Sequence, residues 1–195
     1  MMRSCSILSL ATAVPPYVAE QHEAKAYARE AFGGQKALFD RLSGVFDNAG
    51  IARRHIVAPV DWYVKPHGWQ DRNALYLDAA EDLFVRAATT AIKKAGLKAN
   101  EIDGVVTVST TGIATPSLEA RASARVGLRE NVRRVPVFGL GCAGGVNGLS
   151  IASRLALADP GSVWLFVTVE TCSISIRLDS DDPAAIVATA LFGDG

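Results

Sequence analysis

Between residues 104 and 169, three short runs rich in valine and other apolar residues alternate with two segments of helical character. Residues 104–111 (GVVTVSTT), 134–140 (RVPVFGL) and 162–169 (SVWLFVTV) have the length and composition of strands. Residues 117–126 and 142–158 between them carry helical spacing, the first with Pro116 just ahead of it. Strands joined through helices are parallel, and a parallel sheet must be covered on both faces. This pattern restricts the chain to an α/β fold with a mostly parallel sheet between helices.

The flanking segments fit that frame. Residues 73–95 form the clearest helix, with Tyr76, Ala80, Leu83, Ala87 and Ala91 on one face. Lys93 and Lys94 suit its last turn, and Gly96 is placed to end it. Residues 20–49 read as helix, split at Gly33 and Gly34, and residues 50–55 as a connector. Residues 7–13 read as a buried first strand closed by Pro15 and Pro16; the competing reading of residues 1–14 as a short signal peptide is weakened by Ser6, Ser9 and Thr12. Residues 184–192 are apolar throughout, and periodicity does not separate strand from helix there.

Composition excludes several functions. Twenty Lys and Arg balance twenty Asp and Glu, so the chain lacks the basic surplus of a dedicated nucleic-acid binder. No uncharged apolar run reaches the roughly 18 residues of a membrane span. Three cysteines, Cys5, Cys142 and Cys172, point to individual thiols in a reducing, cytoplasmic setting rather than to a disulfide framework.

The chemistry concentrates in FGLGCAGG, residues 138–145. A strand ends, small residues follow, and a helix starts at about Cys142. Ligands of parallel sheets collect beyond the carboxyl ends of strands, and the free N–H groups of a first helical turn favour an anion. The thiolate is the nucleophilic form of cysteine, and such a position favours it. Gly141, Gly144 and Gly145 leave room for a bulky electrophile. The plainer alternative is a small buried cysteine packing a tight turn. A third reading takes residues 139–144 as G-x-G-x-x-G of a dinucleotide-binding domain, with Glu170 as the ribose-binding acid. Against it, the motif follows two earlier strands instead of opening the domain.

Residues 138–145, together with VTVETCSISIR (167–177) and ALFGDG (190–195), resemble the type III polyketide synthases, the chalcone and stilbene synthase family of the thiolase superfamily. Residues 7–16 (ILSLATAVPP), 50–55 (GIARRH) and 108–116 (VSTTGIATP) resemble the same family in the same order, in a style closer to bacterial alkylresorcinol- and alkylpyrone-forming members. The resemblance implies that residues 1–195 are an amino-terminal thiolase-like domain, truncated, with the carboxyl-terminal half absent or on a separate chain. It implies a mixed, mostly parallel sheet with helices on both faces, and a homodimer in the full-length protein. By resemblance Cys142 is the nucleophile that accepts an acyl group from acyl-CoA. Malonyl-CoA then supplies extender units by decarboxylative condensation toward resorcinols or pyrones, with no bound cofactor and no metal. Thr110, Cys172 and Ser175 match cavity-lining positions, Phe192 the gatekeeper, and Thr115 the residue reaching into the dimer partner's cavity. Arg41 matches a basic position for coenzyme A phosphates, while Gly44 and Asn48 stand where two further basic residues are expected. The family's catalytic histidine and asparagine have no counterpart, because His22, His55 and His67 all precede Cys142 outside any matching motif. The alternatives are a ketoacyl synthase III-like condensing enzyme and a non-catalytic interaction module.

The remaining motifs have plain readings. Residues 179–183 (DSDDP) lack the glycine and distal glutamate of a calcium loop and read as a solvated turn. Trp62, Tyr63, His67 and Trp69 read as loop packing rather than a substrate entrance. Arg53 and Arg54 read as a structural or solvated pair rather than phosphate ligands, and Glu170 as a hydrogen-bonding residue beside the cavity.

Overall fold

A computed structural model describes residues 4–178, 180 and 182–195. The element order is β1 (Tyr17–Glu20), α1 (Gln21–Ala31), α2 (Lys36–Leu42), α3 (Gly44–Asn48), β2 (Arg53–Ile56), α4 (Val60–Tyr63), α5 (Trp69–Lys94), β3 (Gly104–Val108), α6 (Leu118–Val126), β4 (Arg133–Val137), α7 (Gly144–Ala158), β5 (Trp164–Thr168) and α8 (Pro183–Leu191). The chain divides into two compact units, Met1–Ala13 with Leu77–Glu170, and Val14–Tyr76 with Thr171–Gly195.

The first unit is built on a parallel sheet in the order β4-β3-β5. Every residue of β3 is buried, so both faces of the central strand are covered. One cover is α7. A Cβ on Gly144 would stand 2.5 Å from Val108 Cγ1, and one on Gly148 2.5 Å from Phe166 Cε2 and 2.6 Å from Val108 Cγ2. Two glycines four residues apart on one helical face therefore let the backbone of α7 lie directly on β3 and β5. Gly96, with a φ of 71°, and Gly127, with a φ of 84°, end α5 and α6 in the left-handed conformation that glycine adopts without strain.

Residues 7–13 depart from expectation. They form no strand, and Ile7, Leu8 and Leu10 are 75, 61 and 77% exposed. A strand requires partners for its backbone groups, and among the described residues none lies beside this segment in a sheet. It is held to α5 instead: Ser9 Oγ donates to the Ala91 carbonyl at 2.8 Å, and Lys94 Nζ to that of Leu10 at 3.2 Å.

In the second unit β1 pairs antiparallel with β2, from Tyr17 opposite Ile56 to Glu20 opposite Arg53. The connector expected at residues 50–55 thus ends in a strand. Its inward positions are Arg54 and Ile56, and the arginine conceals the alternation that marks a strand. The apolar run 184–192 resolves as the helix α8, opened by Asp182, whose carboxylate accepts from the Ala184 N–H. It packs on α1–α3 through Ala28, Phe32, Phe39, Phe46, Ile186 and Ala190. The split at Gly33 and Gly34 is present as a 3-10 turn, Gly33–Gln35, and a further break follows at Ser43. Tyr63 is buried and Trp62 stacks on His67 at 4.0 Å, so these three pack, whereas Trp69 opens α5 and is 63% exposed. Of the turn at 179–183, Asp179 and Asp181 lie outside the described residues.

Gly148→Ala is expected to lower stability by about 1–3 kcal/mol, because its methyl meets the Phe166 ring. Gly145→Ala faces open space and should leave stability equal or raise it by up to about 1 kcal/mol. Urea titration followed by circular dichroism compares the two.

Candidate active site

The three parallel strands finish in register, with Val108 opposite both Val137 and Thr168. Three sequence-predicted residues follow these ends directly. Thr110 lies two residues beyond β3, Cys142 five beyond β4, and Glu170 two beyond β5. The carboxyl edge of the sheet thus gathers the candidate nucleophile, a candidate wall residue and an acid in one unit.

Cys142 occupies the 3-10 turn Gly141–Ala143, which runs straight into α7. Gly139 and Gly141 take φ values of 83° and 53°, so the sharp bend out of β4 uses glycine where other residues would be strained. Phe138 and Leu140, on either side of Gly139, are exposed, and so is Cys142. The plain reading of Cys142 as a buried packing residue is thereby overturned: packing at this turn is carried by Gly144 on Val108. Gly145, by contrast, leaves open space.

Glu170 organises the other side of this edge. Its carboxylate accepts from the Thr110 N–H at 2.9 and 3.1 Å and from the Thr111 N–H at 3.0 Å. Both oxygens are thus engaged in fixing the loop after β3, which bears out the structural hydrogen-bonding role. Thr110 Oγ1 is buried and without a hydrogen-bond partner among the described residues, so its hydroxyl is not satisfied by backbone. Thr115 is exposed on the loop before α6. Among the described residues no group of three or more His, Cys, Asp or Glu is placed to hold a metal ion, and no helix is long and apolar enough to cross a membrane.

The second unit carries Arg41, Cys172, Ser175 and Phe192. Cys172 is half-buried and Ser175 exposed, at the two ends of the 3-10 turn Cys172–Ser175. Asp194 ties this turn to the segment that bears Phe192. Its carboxylate accepts from the Ser173 N–H at 2.7 Å, from Ser173 Oγ at 2.5 Å and from the Val57 N–H at 2.8 Å. With the Ser173 hydroxyl donating to Asp194, Tyr63 OH donates to Ser173 Oγ at 2.6 Å. Arg72 NH1 donates to the carbonyls of Ile174 and, at 3.1 Å, Ile176. The turn bearing Cys172 and Ser175 is thus held through Ser173, Ile174 and Ile176 by Asp194, Tyr63 and Arg72. Arg41 is exposed in the last turn of α2. Arg54 is only 7% exposed, which removes it as a phosphate ligand, whereas Arg53 is exposed. Sequence reasoning missed Tyr63, Ser173 and Asp194 as a connected set; the one signal was Asp194 within the terminal Gly-Asp-Gly.

Residues 3–195 match the family described as chalcone and stilbene synthases, N-terminal domain. The chain is 37% identical over 99% of its length to 1,3,6,8-tetrahydroxynaphthalene synthase of Streptomyces peucetius subsp. caesius, covering 51% of that protein. It is 32% identical over 94% of its length to the enzyme of the same name from Streptomyces griseus, covering 49%. The crystal structure of 1,3,6,8-tetrahydroxynaphthalene synthase from Streptomyces coelicolor A3(2), a bacterial type III polyketide synthase, superposes with a TM-score of 0.87 at 29% identity, over 95% of this chain and 54% of that one. The chain belongs to the chalcone and stilbene synthase family, with the thiolase-like fold of its type III polyketide synthases. It spans about half the length of the relatives it matches.

Two predictions follow from the hydrogen bonding. Glu170→Gln retains one acceptor for two N–H groups, and is expected to cost about 1–3 kcal/mol and to speed hydrogen exchange at Thr110 and Thr111. Burial pushes the Asp194 carboxyl up from its ordinary 3.8, while hydrogen bonds from Ser173 and Val57 oppose the rise. A carboxyl with a raised folded-state pKa holds its proton longer in the folded chain than in the unfolded one. Its contribution to stability is therefore complete below pH 3.8 and is lost as pH rises through the folded-state value. Urea midpoints measured from about pH 3 to 7 should contain this falling component, and Asp194→Asn should abolish it; parallel curves for the two proteins would refute the assignment.

Proposed function

We propose that this chain is the cysteine-bearing half of a type III polyketide synthase, and that Cys142 takes the starter acyl group from an acyl-CoA. The observation that carries the reading is an exposed cysteine at the start of a helix on the carboxyl edge of a parallel sheet, within a chain of this family. In the reaction the Cys142 thiolate attacks the thioester carbonyl. The carbon–sulfur bond to coenzyme A breaks, and coenzyme A leaves as a thiolate that takes up a proton. N–H groups of a first helical turn favour the negative charge that develops on such a site. Thr110, Cys172 and Ser175 form walls of the acyl cavity, Phe192 is the gatekeeper, Arg41 meets coenzyme A phosphates, and Thr115 reaches a dimer partner. Fatty acyl-CoA is the proposed starter and malonyl-CoA the extender, with resorcinol- or pyrone-type products.

Decarboxylation of malonyl-CoA needs groups that stabilise an enolate. No histidine falls in the unit that carries Cys142. In the second unit His55 Nδ1 contacts the Pro15 carbonyl and His67 stacks on Trp62. The resemblance implies a catalytic histidine and asparagine outside the residues spanned here, and we assign extension to that complementary half. Val146 and Leu149 of α7, 78 and 45% exposed in the first unit, are offered as apolar contacts for that half. A purely non-catalytic module would bind that half and leave Cys142 unacylated.

Intact-mass spectrometry of the purified chain incubated with octanoyl-CoA tests the reading. One octanoyl adduct that maps to Cys142 and is absent in Cys142→Ala is expected. Adding malonyl-CoA should lengthen the adduct only when the complementary half is supplied. Absence of any adduct at Cys142, with and without that half, would overturn the proposal.

A further inference from the structure

The buried pair Arg54 and Gln21 caps the end of α8. The last carbonyls of a helix have no N–H donor within it, and the final N–H of this one, from Phe192, bonds back to Ala188 O at 2.9 Å. Arg54 NH1 donates to the Thr189 carbonyl at 2.5 Å and to the Phe192 carbonyl at 3.1 Å. Gln21 Nε2 donates to the Ala190 carbonyl at 3.0 Å and to that of Phe46 at 3.2 Å. Arg54 NH2 donates to Gln21 Oε1, so the two side chains support one another. Three of the carbonyls left over at this helix end are thus met by two side chains, one from β2 and one from the start of α1. Arg54 lacks a carboxylate partner among the ion pairs of the described residues. The negative end of the helix dipole stands where a counter-ion would otherwise be needed. The backbone next to Phe192 is equally confined: a Cβ on Gly193 would stand 3.1 Å from Arg54 Cβ, and the Asp194 N–H bonds to the His55 carbonyl at 3.0 Å.

We propose that Arg54 and Gln21 are positioning residues that set where Phe192 stands, and through it which acyl chains are accepted. The inference rests on the gatekeeper role proposed above for Phe192. Arginine is required at this position because its planar fork reaches two carbonyls and an amide oxygen at once, whereas lysine offers a single ammonium. A non-polar residue in place of Gln21 removes the donor to Ala190 and the acceptor for Arg54 together. The side chains of Arg54 and Gln21 thereby act on Phe192 through backbone atoms, without touching substrate.

The test places 4-fluorophenylalanine at position 192 of the full chain and compares the parent with Arg54→Lys and Gln21→Met. In both variants the fluorine resonance is expected to shift or broaden, and amide exchange over residues 189–194 to rise at least tenfold, while exchange in β3 and β5 keeps the parent rate. Acylation by acetyl-CoA and octanoyl-CoA supplies the second readout. The ratio of their saturation constants should change severalfold in the variants, with unchanged alkylation of Cys142 by iodoacetamide. An unaltered fluorine line and unaltered exchange at 189–194 in a folded variant would overturn the positioning role. If Arg54→Lys does not fold, Gln21→Met decides by the same measurements. Altered fluorine and exchange with an unchanged acyl-CoA ratio would leave Arg54 and Gln21 as positioning residues and remove the gatekeeper role from Phe192, which separates the two readings.

Discussion

The approach of α7 to the sheet governs the first unit. Gly144 and Gly148 bring helix backbone into contact with Val108 and Phe166, at a separation that a single methyl group would prevent. Because the helix lies so close, the chain leaving β4 must bend sharply, and Gly139 and Gly141 supply the bend. Cys142 is then left on the outside of the turn, at the start of the helix and exposed. The glycines around the cysteine therefore have divided duties. Those within α7 seat the helix on the sheet, those before it turn the chain, and Gly145 leaves space. A motif that reads as a uniform clearing around a sulfur is, in the fold, three separate constraints.

The second unit is held together differently. Its buried polar groups meet in two clusters: Arg54 with Gln21 at the end of α8, and Asp194 with Ser173, Tyr63 and Val57 beside it. Both clusters satisfy backbone groups that secondary structure leaves over, and both place a turn. Removing one partner from such a cluster leaves a buried donor or acceptor unmet, which costs more than the bond itself contributed. The raised pKa of Tyr63, pushed to about 12 mainly by burial, belongs to the same dry environment. The placement of Cys172, Ser175 and Phe192 is thus bound up with stability, because the groups that hold these segments are themselves buried or half-buried.

Much of this was legible in the residues. The alternation of valine-rich strands with helices gives the parallel sheet, and Gly96 and Gly127 end their helices as their positions suggest. Cys142 stood out because strand, glycines and helix converge on it within a few residues. The failures have physical causes. Residues 7–13 carry a strand composition, yet composition does not supply a neighbour with which to pair. Residues 53–56 carry two arginines and a histidine, and a sequence pattern counts Arg54 as polar although it is buried. Burial of a guanidinium depends on which carbonyls lie within reach, here those of residues 135 and more positions away in the chain. Long-range side-chain-to-backbone bonds leave no local periodicity, so the Gln21–Arg54 and Tyr63–Ser173–Asp194 sets had no signature beyond the Gly-Asp-Gly that contains Asp194.

Acyl capture and chain extension make different demands on an active site. Forming a thioester asks for a reachable nucleophile, and the exposed Cys142 ahead of α7 is reachable. Extension asks in addition for groups that polarise the malonyl thioester while carbon dioxide departs, and such donors are typically worth about 100- to 1000-fold each in rate. His55 is engaged with the Pro15 carbonyl in β2, and His67 with Trp62 and its carbonyl. Both are fixed in their own packing, and Glu170 is committed to the Thr110–Thr111 loop. At the sheet edge Cys142 is an exposed free thiol, and the buried Thr110 hydroxyl has no hydrogen-bond partner among the described residues. The proposal therefore gives the cysteine-bearing half the acyl-receiving step alone, and leaves generation of the attacking carbanion to groups outside it.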